Sequence, residues 1–128
     1  MTESKQTACA MSKPKRVSVI VPTYNRADYL RLCLGCLSMQ DWSGPFEIIV
    51  ADDGSQDHTP KVIEEAKKAG LEVKYEWRPD EGYRRARIIN EGVKASTGDL
   101  LVILDSDCMA EPDLISTYVN VYSPNSFY

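Results

Sequence analysis

Two acidic clusters carry the chemistry available to this chain. Asp105-Ser106-Asp107 ends the apolar run Leu100-Leu101-Val102-Ile103-Leu104, and Asp52-Asp53 ends the run Phe46-Glu47-Ile48-Ile49-Val50-Ala51. If both runs are parallel strands, their carboxylates meet at one rim of the sheet, where open α/β folds bind ligands. Carboxylates about 4 Å apart repel by about 4 kcal/mol at an effective dielectric of about 20, so the cluster asks for a cation. A divalent metal carrying a phosphorylated ligand meets that demand, and hard carboxylate oxygens suit Mg2+ or Mn2+ rather than zinc.

The chain around these clusters is ordinary for a globular protein. It has 128 residues, 43% hydrophobic and 27% charged, which suits one domain with a real core. A net charge of −4 and a pI of about 5.0 exclude a nucleic-acid footprint, because no basic stripe exists to neutralise a phosphate backbone. Any phosphate must therefore be held locally. Residues 1–15 are polar, with Lys5, Lys13 and Lys15, and lack the apolar stretch of a signal peptide or membrane span. They are expected to form a mobile tail ahead of a domain over 16–128. Cys9, Cys33, Cys36 and Cys108, in a chain with no export signal, are expected to be reduced thiols in the cytoplasm. Cys33 and Cys36 form a Cys-x-x-Cys, but they fall mid-helix among Leu30, Leu34 and Leu37 with no second pair. They read as packing thiols rather than a redox or zinc site.

The elements that must position the acids follow from periodicity. Val17-Ser18-Val19-Ile20-Val21 is β-branched and nearly all apolar, as in a strand covered on both faces, and it ends at Pro22. Asn25 has the chemistry of a helix cap, followed by Leu30, Cys33 or Leu34, and Leu37 at helical spacing up to about residue 39. Trp42-Ser43-Gly44-Pro45 makes a turn into the strand that ends at Asp52-Asp53-Gly54-Ser55. Thr59 is expected to cap the next helix, with Pro60 in its first position, Val62, Ile63 and Ala66 buried, and Gly70 closing it. Leu71, Val73, Tyr75 and Trp77 alternate with charged residues, the period of a half-wet strand at a sheet edge. Residues 82–96 read as a helix burying Tyr83, Ala86, Ile89, Asn90 and Val93. Asn90 on that face requires a hydrogen-bond partner and reads as structural. A strand to Leu104 and a helix over about 112–120 complete a β-α-β-α-β-α-β-α order. The architecture is a Rossmann-like α/β/α sandwich with a mainly parallel sheet and right-handed crossovers.

Three of these segments, taken in order, resemble one family. Val17-Ser18-Val19-Ile20-Val21-Pro22-Thr23-Tyr24-Asn25-Arg26, Ile48-Ile49-Val50-Ala51-Asp52-Asp53-Gly54-Ser55 and Gly98-Asp99-Leu100-Leu101-Val102-Ile103-Leu104-Asp105-Ser106-Asp107 are similar to the family 2 glycosyltransferases, which have the GT-A fold. The resemblance implies transfer of a sugar from a nucleotide diphosphate sugar, often uridine-linked, to an acceptor hydroxyl with inversion. It matches Asp53 to the carboxylate that accepts the uracil imide N–H, and Pro22 and Tyr24 to the nucleotide site, with the Tyr24 ring against the base. It matches Asp107 to the ligand of Mn2+ or Mg2+, and Asp105 to a residue facing the ribose or the metal. Asp80-Glu81-Gly82-Tyr83-Arg84 resembles a segment of polymerase-like members, which makes Arg84 a candidate clamp for the diphosphate.

The chain also departs from the pattern. Many members carry Ala-Arg-Asn on the third helix, whereas here Ile88 and Ile89 precede Asn90 and the nearest arginine is Arg87. His58, a lone histidine, reads as a solvated or capping group. Only 108–128 follow the acidic motif, whereas the family implies a further half that binds acceptor and supplies the base. The chain is therefore expected to be a truncated donor-binding half, or a sugar-nucleotide-binding module completed by a second chain or domain. Val119-Asn120-Val121-Tyr122 is expected to begin an unpaired strand and to leave an edge prone to association. Rival classes fail on order. A haloacid-dehalogenase-type phosphatase and a receiver domain both place their acidic motif after the first strand, and a dinucleotide-binding domain needs Gly-x-Gly-x-x-Gly in its first turn.

Overall fold

A computed structural model describes residues 14–82 and 84–122. Strands β1 (Val17–Thr23), β2 (Phe46–Asp52), β3 (Val73–Trp77) and β4 (Leu100–Ile103) alternate with helices α1 (Ala27–Leu37), α2 (Thr59–Lys68), α3 (Arg85–Ala95) and α4 (Leu114–Val121). The sheet runs β3-β2-β1-β4 with every pairing parallel. Parallel strands need crossovers, and the helices supply them on both faces. The residues 1–13, including Cys9, and the side chain expected at Tyr83 lie outside the described residues.

The central position of β1 explains its composition: all seven of its residues are buried. Val17, Val19 and Val21 face a core built with α1, α2 and α4, where Leu30, Leu37, Ile48, Val62 and Ile115 also pack. Ile20 points the other way, with Ile49 and Ala51, and meets Ile88 of α3. Residues on alternate sides of a strand thus serve separate layers. Each fully buried Ile or Leu contributes about 1.5–3 kcal/mol of transfer free energy. β3 lies at an edge, as its alternation predicts, but burial along it does not alternate: only Val73 is buried, and Trp77, on the expected inward face, is exposed. β4 forms the opposite edge. Leu100 and Val102 are buried, whereas Leu101 and Ile103 remain exposed.

Several local expectations are corrected. α3 begins at Arg85, and its buried stripe is Ile88 and Gly92 rather than the Ala86, Asn90 and Val93 face, which is exposed. Gly92 decides that rotation: a Cβ there would sit 2.8 Å from Ile20 Cγ2, so the helix rests on the sheet through its glycine. The amide of Asn90 is consequently at the surface. α1 ends at Leu37, two residues early, and 119–121 form the end of α4, followed by Tyr122 as its cap, instead of a strand. Val119 is buried in the core, and Tyr122 packs against it. Cys33 is buried in the core on α1, in the packing role read for it, whereas Cys36 is half-buried. Among the described residues no helix is long and apolar enough to cross a membrane.

Candidate nucleotide and metal site

The carboxyl ends of β1, β2 and β4 open into one cavity of about 1050 Å³. Its wall includes Pro22, Tyr24, Asp53, Asp105, Ser106 and Asp107, so one acid after β2 and two after β4 line the same cavity. Leu104 N–H donates to the Ile20 carbonyl (2.9 Å), extending the β4 ladder by one residue, and a turn closed by Cys108 N–H to the Asp105 carbonyl (3.0 Å) then presents the acidic motif.

Two loops are laced together above β1 and β2. Asn25 adopts φ 49°, a left-handed conformation that an amide side chain tolerates. Its N–H donates to Ser55 Oγ (2.8 Å), and its Oδ1 accepts the Gln56 N–H (2.8 Å). Asn25 is therefore not the cap of α1. Asp57 takes that task, because its Oδ2 accepts the Ala27 N–H (3.1 Å) while Oδ1 accepts Thr59 N–H and hydroxyl. Thr59 likewise is the first residue of α2 rather than its cap. Burial alone raises the Asp57 carboxyl's pKa, but the bonds from Thr59 and Ala27 outweigh it and hold the group below the usual range. The sequence reading missed Asp57, because a cap given to another helix has no local signature.

The two residues of the second acidic pair part company. Asp52 is fully buried and does not line the cavity: its Oδ1 accepts the Ser55 N–H (2.8 Å) and its Oδ2 the Tyr75 hydroxyl (2.5 Å). Burial and then that bond push the Tyr75 phenol well upward. Asp52 shapes the loop. Asp53 turns to the cavity, with one oxygen accepting the Arg84 main-chain N–H (3.0 Å). Its Oδ1 has no hydrogen-bond partner, and Arg87 Nη2 stands 3.8 Å from it. Gly54 follows with φ +99°, and a Cβ there would lie 2.4 Å from the Asp80 nitrogen, so only glycine lets the Asp80 loop approach.

Asp80 in turn holds the expected aromatic. Tyr24 hydroxyl donates to Asp80 Oδ2 (2.7 Å), and Gly82 N–H donates to its Oδ1 (3.0 Å). The shared bond raises the Tyr24 phenol and lowers the Asp80 carboxyl. The Tyr24 ring is half-exposed over the cavity.

Asp105, Asp107 and Cys108 bring their ligand atoms within 4.8 Å of one another. The two carboxylates are hard donors that fit Mg2+ or Mn2+, whereas the adjacent thiol is soft. Each aspartate also has a guanidinium. Arg85 Nη2 lies 2.7 Å from Asp105 Oδ1, and Arg26 Nη1 lies 3.9 Å from Asp107 Oδ2. Both arginines line the cavity. Arg84, the expected diphosphate clamp, does not: its Nε donates to the Glu81 carbonyl, and its contribution to the site is the N–H bound to Asp53. Arg85, the first residue of α3, lines the cavity where its neighbour does not. His58 meets Asp28 (3.0 Å), both on the cavity wall, and makes no side-chain cap. Behind the motif, burial pushes the Cys33 thiol up to about 12.

A family likeness matches this geometry. The model of glycosyl transferase family 2 matches residues 18–126. The chain belongs to glycosyl transferase family 2. This family 2 chain is 34% identical over 105 residues to chondroitin synthase of Escherichia coli, a match covering 82% of this chain and 15% of that protein. It is 36% identical over 115 residues to validoxylamine A glucosyltransferase of Streptomyces hygroscopicus subsp. jinggangensis, covering 89% of this chain and 27% of that protein. The chain therefore spans less than a third of either relative. S. aureus TarS in complex with UDP-GlcNAc superposes with a TM-score of 0.72 at 30% identity, over 80% of this chain and 29% of that one. A mannosyltransferase from Pyrobaculum calidifontis, in complex with GDP-Man and Mn2+, superposes with a TM-score of 0.74 at 23% identity, over 93% of this chain and 41% of that one. The fold is that of the GT-A glycosyltransferases, as the sequence motifs imply.

Proposed function

We propose that this chain binds a uridine diphosphate sugar together with Mn2+ or Mg2+ in the cavity at the carboxyl rim, as the donor-binding part of an inverting glycosyltransferase. The observation that carries the reading is the meeting of Asp53, Asp105 and Asp107 in one cavity, with a buried Asp53 oxygen that has no hydrogen-bond partner. A buried acceptor without a donor costs about 1–3 kcal/mol, which a base N–H recovers on binding. The imide N–H of uracil is such a donor. Tyr24, tied to Asp80, offers a half-exposed ring face to the base, and Pro22 lines the same wall.

Asp107 and Asp105 would hold the metal, which supplies positive charge to a departing diphosphate. Ser106 between them is small and lets a ligand pass close. Transfer also requires a base at the acceptor oxygen, a role this reading gives to none of the described residues. A glycan acceptor, bound by a further domain or second chain, suits the likeness to chondroitin synthase. The free thiols of Cys33, Cys36 and Cys108 suit the reducing cytoplasm.

Calorimetric titration of UDP with and without Mn2+ tests the proposal. The expected result is metal-dependent binding that Asp107→Ala weakens about a hundredfold. Binding indifferent to both the metal and Asp107 refutes it.

A further inference from the structure

The paired guanidiniums deepen the proposed function, and the role assigned to them rests on it. We propose that Arg85 and Arg26 are exchange partners at the site: each holds one aspartate of the metal pair, yields it to the cation, and then binds the diphosphate of the donor. Arg85 Nη2 is 2.7 Å from Asp105 Oδ1, and Arg26 Nη1 is 3.9 Å from Asp107 Oδ2. The four groups are 38–54% exposed, so these are wet pairs that separate at small cost. Buried pairs, by contrast, are fixed.

The placement of the two arginines also points to exchange. Arg26 immediately precedes α1, and Arg85 opens α3, so they approach the acidic turn from helices on opposite faces of the sheet. Both guanidiniums stay on the cavity wall with the aspartates. Counted over these four groups alone, charge balance gives them a second partner. The guanidiniums cancel Asp105 and Asp107, and a divalent cation then leaves the cluster positive until a dianionic diphosphate ester restores neutrality. Guanidinium forks match phosphate oxygens bidentately. Arg85 is the stronger partner, because its contact is the shorter one.

An exchange residue has effects of opposite sign, which a merely structural residue does not. With metal alone, Arg85 competes with Mn2+ for Asp105; with metal and diphosphate, it contributes contacts. Mn2+ affinity, read by electron paramagnetic resonance, is expected to tighten about threefold in Arg85→Gln. UDP affinity at saturating Mn2+ is expected to weaken about tenfold in the same variant, with uridine affinity unchanged and partial rescue in Arg85→Lys. Arg26→Gln is expected to move both quantities the same way by less. Thermal melting of each variant controls for folding. Arg85→Gln and Arg26→Gln proteins that melt normally and leave Mn2+ affinity unchanged, or weaken both Mn2+ and UDP, overturn the inference. The Mn2+ arm needs no nucleotide, so a wild-type chain that takes Mn2+ but ignores UDP refutes the nucleotide reading separately.

Discussion

Glu47 and Asp53 stand at opposite ends of the same strand, and their surroundings differ in one decisive respect. Glu47, fully buried near the start of β2, accepts bonds from the Ser18 hydroxyl (2.7 Å), the Thr97 N–H (2.7 Å) and the Thr97 hydroxyl (2.9 Å). Lys74 Nζ stands 2.9 Å away, and Arg16, which also pairs with Glu72, completes the network. Asp53, just past the end of β2, receives one N–H, and its other oxygen has no hydrogen-bond partner, only Arg87 Nη2 at 3.8 Å. Where the chain supplies every hydrogen bond, a buried carboxylate is a structural fastener; where one oxygen keeps none, as in Asp53, the carboxylate can still accept one from a ligand. The same contrast separates neighbours, since Asp52 is saturated and Asp53 is not.

The widest separation is expected from Glu47→Ala. Breaking a buried pair that also carries hydrogen bonds costs about 3–5 kcal/mol, to be read by denaturant unfolding, while UDP affinity of the folded fraction stays unchanged. Loss of nucleotide affinity at unchanged stability would erase the distinction. Asp107→Ala is expected to do the reverse, lowering UDP affinity in Mn2+ about a hundredfold, or about 2.7 kcal/mol, without lowering the melting temperature. Asp53→Ala should follow, with about 1–3 kcal/mol lost from uridine and UDP binding alike. The alanine protein is expected to melt no lower than the wild type by more than the one lost Arg84 bond accounts for.

A pH titration sharpens the fastener side. Burial alone would raise the Glu47 carboxyl, but the bonds from Ser18, Lys74 and Thr97 dominate and lower it from 4.5 to about 2. A depressed folded-state pKa stabilises the fold fully above the unfolded value and loses that contribution as pH falls from about 4.5 through about 2. Glu47→Gln should therefore flatten the acid limb of stability in this window. An unchanged limb contradicts the network.

How far the sequence reveals this division depends on how local the signal is. The four strands announce themselves as apolar runs, and acids at run ends fall on the carboxyl rim of a parallel sheet without further information. β3 declares its edge position by alternation. Which acid of an adjacent pair faces the cavity is less visible, because neighbouring side chains diverge and the partners that claim Asp52, Ser55 and Tyr75, are set by the fold. Glu47 draws its partners from Arg16, Ser18, Lys74 and Thr97, which are scattered along the chain, so nothing near it marks it as satisfied. α3 has apolar residues at Ile88, Ile89 and Val93 on more than one face, and the choice among them rests on how closely Gly92 approaches Ile20. Arg85, the first residue of α3, lines the cavity, whereas Arg84 precedes the helix and does not. Asp57 is hidden for a related reason, because it caps a helix that precedes it by a whole βα unit.

Manganese itself offers the most direct test of the division. Amide signals of the protein are recorded by NMR as Mn2+ is added in substoichiometric amounts, first alone and then with UDP. The expected result is paramagnetic broadening centred on residues 105–107, reaching Arg85 and Arg26, with the amides around Glu47 and Thr97 sharp. Broadening centred on the Glu47 network, or spread evenly over the surface acids, contradicts the division.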